Sequence, residues 1–311
     1  MGIAMMIVMI FHQHFMYDTL FEPISRFGFW GVDVFLFVSG FGCTYSLIKG
    51  MNGKHWMASF YQRRFIRLIP AALLAGLLIS PFQENAGWAD YAGLSLWYIK
   101  ALIVFYALAP FIYLSLRKMK DKIWLMVLFV AFIQFLYLYA ILCIHELPFW
   151  DAYSLHLAEG RLPAFVLGMA VVVLNGNLKL SKAVWVCVAL VALLLGEIAV
   201  ICKNPFVIKG AYAYFILPAL PLFCCICAIL RKHMGETLVR AVEWVGKYSL
   251  ELYLVHEFLY KKVMHFGTAL PGCAKMVVGV SVSVACAYLL KQIVKLLLAG
   301  IGRVCAKFQS S

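Results

Sequence analysis

The sequence predicts an all-α fold, a polytopic bundle of about ten transmembrane helices, and three observations predict it. Hydrophobic residues make up 65% of the 311 positions, well above the roughly 45–50% usual in soluble domains. Only 13% are charged, and the mean hydropathy is +0.91. Continuous apolar runs recur along the whole chain, and a run of about 20 residues crosses a hydrocarbon core of roughly 30 Å. A barrel would show short alternating segments instead. No soluble domain or low-complexity linker separates the runs, so residues 1–311 read as one integral-membrane domain.

The runs place spans at 2–17, 30–48, 66–82, 95–116, 123–143, 162–175, 183–202, 211–230, 245–263 and 274–294. The first has neither a basic segment before it nor a small-residue cleavage site after it, so it is expected to stay as a span rather than be removed. The second is apolar apart from Asp33. The fourth opens on Trp97, Tyr98 and Lys100, an interfacial group whose lysine is expected to snorkel toward water. The sixth is short and interrupted near Pro163. The seventh buries Glu197, and the eighth gathers Cys224, Cys225 and Cys227, which read as small apolar packing. Cys143, Cys187, Cys202 and Cys286 lie inside other runs. No internal repeat is evident, which argues against an inverted-repeat transporter.

Basic residues orient the bundle. Connections after even-numbered spans carry Lys49, Lys54, Arg63, Arg64 and Arg67; Arg117, Lys118, Lys120 and Lys122; Lys179 and Lys182; and Arg231, Lys232, Arg240 and Lys247. Odd connections hold acids: Asp18, Glu22, Glu84, Asp90, Glu146, Asp151 and Glu159. Both termini are therefore expected on the cytoplasmic side. Residues 291–311, with Lys291, Lys295, Arg303 and Lys307, read as an amphipathic cytoplasmic tail. The net charge of +13 follows this membrane pattern. It is spread over connections and joins no stacking module, so nucleic-acid binding is not expected.

Ionisable groups inside apolar runs are costly and mark function or a partner. His12 comes late in an outward-going span and Asp33 early in an inward-going one, so both are expected toward the outer leaflet. An imidazole exchanges protons near neutral pH, and a carboxylate could fix its tautomer. A structural hydrogen bond between helices is the other reading. His14 falls on a different face and reads as interfacial. In FYQRRFIRLIP, Arg64 and Arg67 share a helical face at the expected cytoplasmic helix start. There, guanidinium forks and the helix dipole would suit a phosphate-bearing donor; plain positive-inside anchoring is the alternative. In WVGKYSLELYLVHEFLY, Ser249, Tyr253, His256 and Tyr260 make a polar stripe that must look into the bundle. Glu251 lies on another side, and Glu257 near the outer end. Arg161 or Glu197 could pair with a site residue or form a separate ion pair.

The segments GIAMMIVMIFHQH, FWGVDVFLFVSGF, FYQRRFIRLIP, LWYIKALIVFYALAPFI, GRLPAFVLGM and WVGKYSLELYLVHE, in this order, resemble the acyltransferase-3 family of integral-membrane O-acyltransferases. The resemblance spreads from the first span to the ninth. It implies transfer of an acyl group, usually acetyl from cytoplasmic acetyl-CoA, to a hydroxyl of a glycan or lipid-linked sugar at the far side. By the same resemblance His12 matches the catalytic histidine, and Asp33 the acid of the GVD motif in a supporting role. Arg64 and Arg67 match an Arg-x-x-Arg motif linked to the acyl-CoA donor. Ser249, Tyr253, His256 and Arg161 are the candidates for holding the acceptor or a developing oxyanion. No metal is implied, and the expected location is a bacterial plasma membrane. One departure stands out: the family pattern has an arginine eleven positions before the histidine, where this chain has Met1. A proton-coupled transporter or an inactive scaffold are the rival functions.

Overall fold

The computed structural model describes residues 1–12, 30–51, 53–119, 122, 125, 128–129, 132, 160–174, 186–187, 189–194, 217–266 and 271–309. Among the described residues the regular structure is helical throughout. The helices are α1 (Gly2–Phe11), α2 (Trp30–Gly50), α3 (Trp56–Ile79), α4 (Trp88–Tyr91), α5 (Trp97–Lys118), α6 (Leu162–Leu174), α7 (Ala219–His233), α8 (Glu236–Lys247), α9 (Ser249–Phe266) and α10 (Gly272–Gln309). A 3-10 turn, Ser80–Phe82, extends α3. Among the described residues, four helical segments are long and apolar enough to cross a membrane: Trp30–Gly50, Trp56–Phe82, Trp97–Lys118 and Ala274–Ile301. α1 and α6 are shorter apolar helices.

The chain divides into two compact units. One holds Met1–Phe29, Phe65–Ile99 and Arg240–Ser311; the other holds Trp30–Arg64 and Lys100–Val239. In the second unit α2 packs along α6. A Cβ on Gly40 would overlap the Phe165 carbonyl, and one on Gly168 would overlap the Phe37 carbonyl. Backbone thus lies against backbone, the usual device where lipid gives helices no hydrophobic drive to associate. Phe165 fills the adjoining core, its ring 5.4 Å from Phe105 and 6.4 Å from Tyr106. At one end of the contact, Asp33 in the first turn of α2 meets Arg161, which immediately precedes α6.

In the first unit α9 packs along α10 and touches α1. Tyr260 of α9 covers Gly279 of α10. Lys291 of α10 donates to the Lys247 carbonyl, pairs with Glu251 at 3.3 Å and sits 4.6 Å above the Tyr248 ring. These contacts tie α10 to the α8–α9 junction. Residues 83–96 fold back on α3. Gly93 adopts φ +68 directly against the Ala72 carbonyl, a conformation and a closeness that only glycine accommodates without strain.

Several expectations change. The third span does not start at 66: α3 begins at Trp56, so Arg64 and Arg67 stand more than two turns inside the helix. The helix-terminal dipole, which fades within the first turn, does not act on them. Pro163 does not interrupt the sixth span, because it occupies the first turn of α6, where its missing N–H costs nothing. Residues 245–263 are divided, since α8 ends at Lys247 and α9 starts at Ser249. No residue of α8 is buried. α10 runs without a break through 291 to Gln309. Lys100 is buried at 5% exposure rather than snorkelling. Spans five and seven fall largely outside the described residues, as do His14, Asp18, Glu22, Lys120, Cys143, Glu146, Asp151, Glu159, Lys179, Lys182, Glu197 and Cys202.

Candidate active site

His12 caps α1 at its C-terminal end, where the backbone leaves the helix at φ −83, ψ 6. Its imidazole lies beside that of His256, with Nδ1 3.2 Å from His256 Nε2 and the rings edge-to-face at 4.8 Å. The remaining partners fix the tautomers. His256 Nδ1 is 3.0 Å from the carbonyl oxygens of Leu252 and Tyr253. Carbonyls only accept, so Nδ1 carries the hydrogen and Nε2 of the neutral ring presents a lone pair. His12 Nδ1 is 2.9 Å from the Val8 carbonyl and therefore also carries a hydrogen, shared between that oxygen and His256 Nε2. The proton of neutral His12 is thus spent at Nδ1. In that tautomer Nε2 carries the lone pair, which is the form a general base needs.

Glu257 faces that nitrogen. Its Oε2 is 4.0 Å from His12 Nε2, while Oε1 accepts from Lys261 Nζ at 2.7 Å. A proton arriving on Nε2 would complete an ion pair with this carboxylate. The pair is buried on one side only, since His256 is 1% exposed whereas the His12 side chain retains 20% and Glu257 37%.

The polar stripe of α9 is real and faces inward: Ser249, Tyr253, His256 and Tyr260 are all buried. Tyr253 stacks at a tilt on Tyr98, 4.6 Å between centroids, and Tyr260 stands edge-on to His256 at 5.8 Å. The stripe therefore encloses His256 in aromatic rings. Glu251 is also buried but turns to Lys291, as its position on another side suggested.

Asp33 and Arg161, named separately, are brought together at 3.2 Å with side-chain exposures of 1% and 10%. His12 and Asp33 each take a partner within their own unit, His256 and Arg161 respectively. Arg64 donates through Nη2 to the Gly42 carbonyl at 2.7 Å, with its guanidinium 5.7 Å from the Phe60 and Tyr106 ring centres. That use occupies one edge of a five-donor fork and leaves others for an anion. Arg67 is exposed, and Arg63 reaches Ser46 at 3.3 Å. Among the described residues, no group of three or more His, Cys, Asp or Glu could hold a metal ion.

Two functional candidates escaped the sequence reading, the Glu257–Lys261 pair as a neighbour of His12 and the direct His12–His256 contact. The i, i+4 spacing of Glu257 and Lys261 signals their pairing, but nothing local signals that α1 ends beside them. A family model for an acyltransferase domain matches residues 2–292. The chain belongs to this acyltransferase-3 family. The match takes in His12, His256, Asp33, Arg161, Arg64 and Arg67, so each described constellation lies within the acyltransferase domain. Comparison with curated proteins and with solved structures gives no match. The protein is therefore an acyltransferase with helices long and apolar enough to cross a membrane, and its site chemistry must be read from its own residues.

Proposed function

We propose that this acyltransferase moves an acyl group, acetyl in the simplest case, from cytoplasmic acyl-CoA to a hydroxyl of a glycan or lipid-linked sugar on the outer side of a cell membrane. The observation that carries the reading is the His12–His256 pair. Its hydrogen bonds leave His12 Nε2 unprotonated and turned toward a carboxylate, as the abstraction of a hydroxyl proton requires.

In this mechanism the acceptor hydroxyl gives its proton to His12 Nε2 as its oxygen bonds to the thioester carbonyl carbon. The carbon–sulfur bond breaks, and the departing thiolate takes the proton back from the imidazolium, so the histidine is regenerated. Glu257 stabilises the imidazolium while it exists, and His256 holds the ring in the productive tautomer. Arg64, through the guanidinium edges not spent on Gly42, and Arg67 bind phosphates of the donor. Ser249 and Tyr253 orient the acceptor or the developing oxyanion. The Asp33–Arg161 pair fixes α2 against α6 rather than touching substrate.

A direct test supplies the purified chain in lipid with radiolabelled acetyl-CoA and an envelope extract. Label appearing in covalent linkage to the acceptor, with one CoA thiol released per acyl group transferred, supports the reading. Label crossing the bilayer without forming a new bond would instead make the protein a transporter, and neither event would leave the scaffold reading.

A further inference from the structure

The first unit contains a cavity of about 220 Å³ that no catalytic assignment has used. Its floor is formed by small residues on α3, Ala72, Ala75 and Gly76, against which the fold-back of residues 83–96 packs closely through Gly93. Its wall carries hydrogen-bonding groups from three separate segments: Ser80 and Gln83 after α3, Asp90 and Ser95 in the fold-back, and Glu257 with Lys261 on α9. Phe258 and Leu254 supply an apolar face. Glu257 belongs to this wall and also stands 4.0 Å from His12 Nε2.

We propose that this cavity is the acceptor subsite and that it takes a single uncharged sugar ring, held beside His12 by the wall that Glu257 forms. The proposal rests on the acyltransferase reading above and extends it to the chemical class of the acceptor. The mixture of polar rim and apolar face matches a sugar, whose hydroxyl edges want donors and acceptors while its C–H face wants a hydrophobic surface. The volume lies below the roughly 300 Å³ at which pockets for drug-sized ligands begin, so one ring fits and the rest of the acceptor stays outside. The charge balance selects the ring. Two carboxylates, Asp90 and Glu257, face one ammonium, and that ammonium is already engaged by Glu257 at 2.7 Å. Asp90 is held in place by the Gly87 N–H at 2.8 Å. A uronate or a phosphorylated sugar would meet this surplus of negative charge, whereas an uncharged ring meets only hydrogen-bonding groups.

The test uses the full chain in lipid vesicles, with Ser95→Cys and, separately, Gln83→Cys. The cationic trimethylammonium and the anionic sulfonate methanethiosulfonate reagents are compared, each rate taken as the increment over the parent chain. The proposal predicts that the cationic reagent is favoured by about tenfold beyond its preference for a free thiol, and that Asp90→Asn reduces the bias. A ratio equal to that of a free thiol overturns it. In the second arm, each variant is assayed with radiolabelled acetyl-CoA and envelope extract before modification, after modification by a neutral reagent, and after reduction. Transfer should fall at least tenfold on modification and return on reduction, with acetyl-CoA binding unchanged and the label recovered on uncharged sugar residues. Undiminished transfer with the cavity blocked, or label on acidic sugars, overturns the proposal. Absence of transfer by the unmodified parent chain would instead count against the acyltransferase mechanism, while the reagent ratio still decides the character of the cavity.

Discussion

At the scale of single residues, the site is an ordered chain of hydrogen bonds that begins on backbone carbonyls and ends on the His12 ring. The Leu252 and Tyr253 carbonyls set His256, and with the Val8 carbonyl, His256 sets His12. Removing the middle link should lower turnover without weakening the donor. His256→Ala is expected to reduce kcat by ten- to a hundredfold with KM for acetyl-CoA unchanged, measured by steady-state radiolabel transfer. Arg64→Ala and Arg67→Ala should do the reverse, raising KM for acetyl-CoA with the smaller effect on kcat. Arg64→Lys should recover less than its charge suggests, because an ammonium cannot hold Gly42 and a phosphate together as a fork does. His12 itself was legible in the sequence as an ionisable group in an apolar run. Its partner was not, because depth in a membrane limits which groups could meet without choosing among them. His256 lies 244 residues away in the chain, and only packing brings α1 to α9.

At the scale of elements, α2 and α6 show how a membrane protein fixes two helices closely. Gly40 and Gly168 allow the backbones to meet, and the Asp33–Arg161 pair sets their register at one end. A valine at position 40 must push against the Phe165 carbonyl, so Gly40→Val should destabilise by about 1–3 kcal/mol or more. Arg161→Ala strands a buried carboxylate and should cost about 3–5 kcal/mol. Replacing both members with uncharged residues should recover part of that loss. Unfolding in detergent, followed by near-ultraviolet circular dichroism, measures all three. The apolar pattern located α2 and α5 to within two residues, because their ends coincide with the ends of the hydrophobic runs. It missed the start of α3 by ten residues. Hydropathy reports which surface suits lipid, whereas a helix continues wherever its backbone bonds continue, and the polar turns from Trp56 to Phe65 satisfy theirs.

At the scale of the whole molecule, the all-helical membrane class was the most legible property, since composition and run length alone require it. The orientation read from lysines and arginines yields a specific expectation. In sealed cells, Glu84→Cys should react with a membrane-impermeant maleimide, whereas Lys54→Cys should react only after permeabilisation. Equal labelling of both positions would contradict the sidedness on which a cytoplasmic donor and an outer acceptor depend. The cavity was not legible, because it is formed by three segments and by a glycine whose φ is positive, features that no periodicity encodes.

The central claim is that His12 is the proton acceptor in acyl transfer, and one measurement tests it most directly. His12→Ala is compared with the parent chain for transfer of label from acetyl-CoA to envelope acceptor, with folding verified by unchanged near-ultraviolet circular dichroism and retained acetyl-CoA binding. General-base catalysis of this kind contributes about 10²–10⁴-fold, so the folded variant is predicted to lose at least a hundredfold in rate. A folded His12→Ala protein that transfers acyl groups at the parent rate would contradict the account.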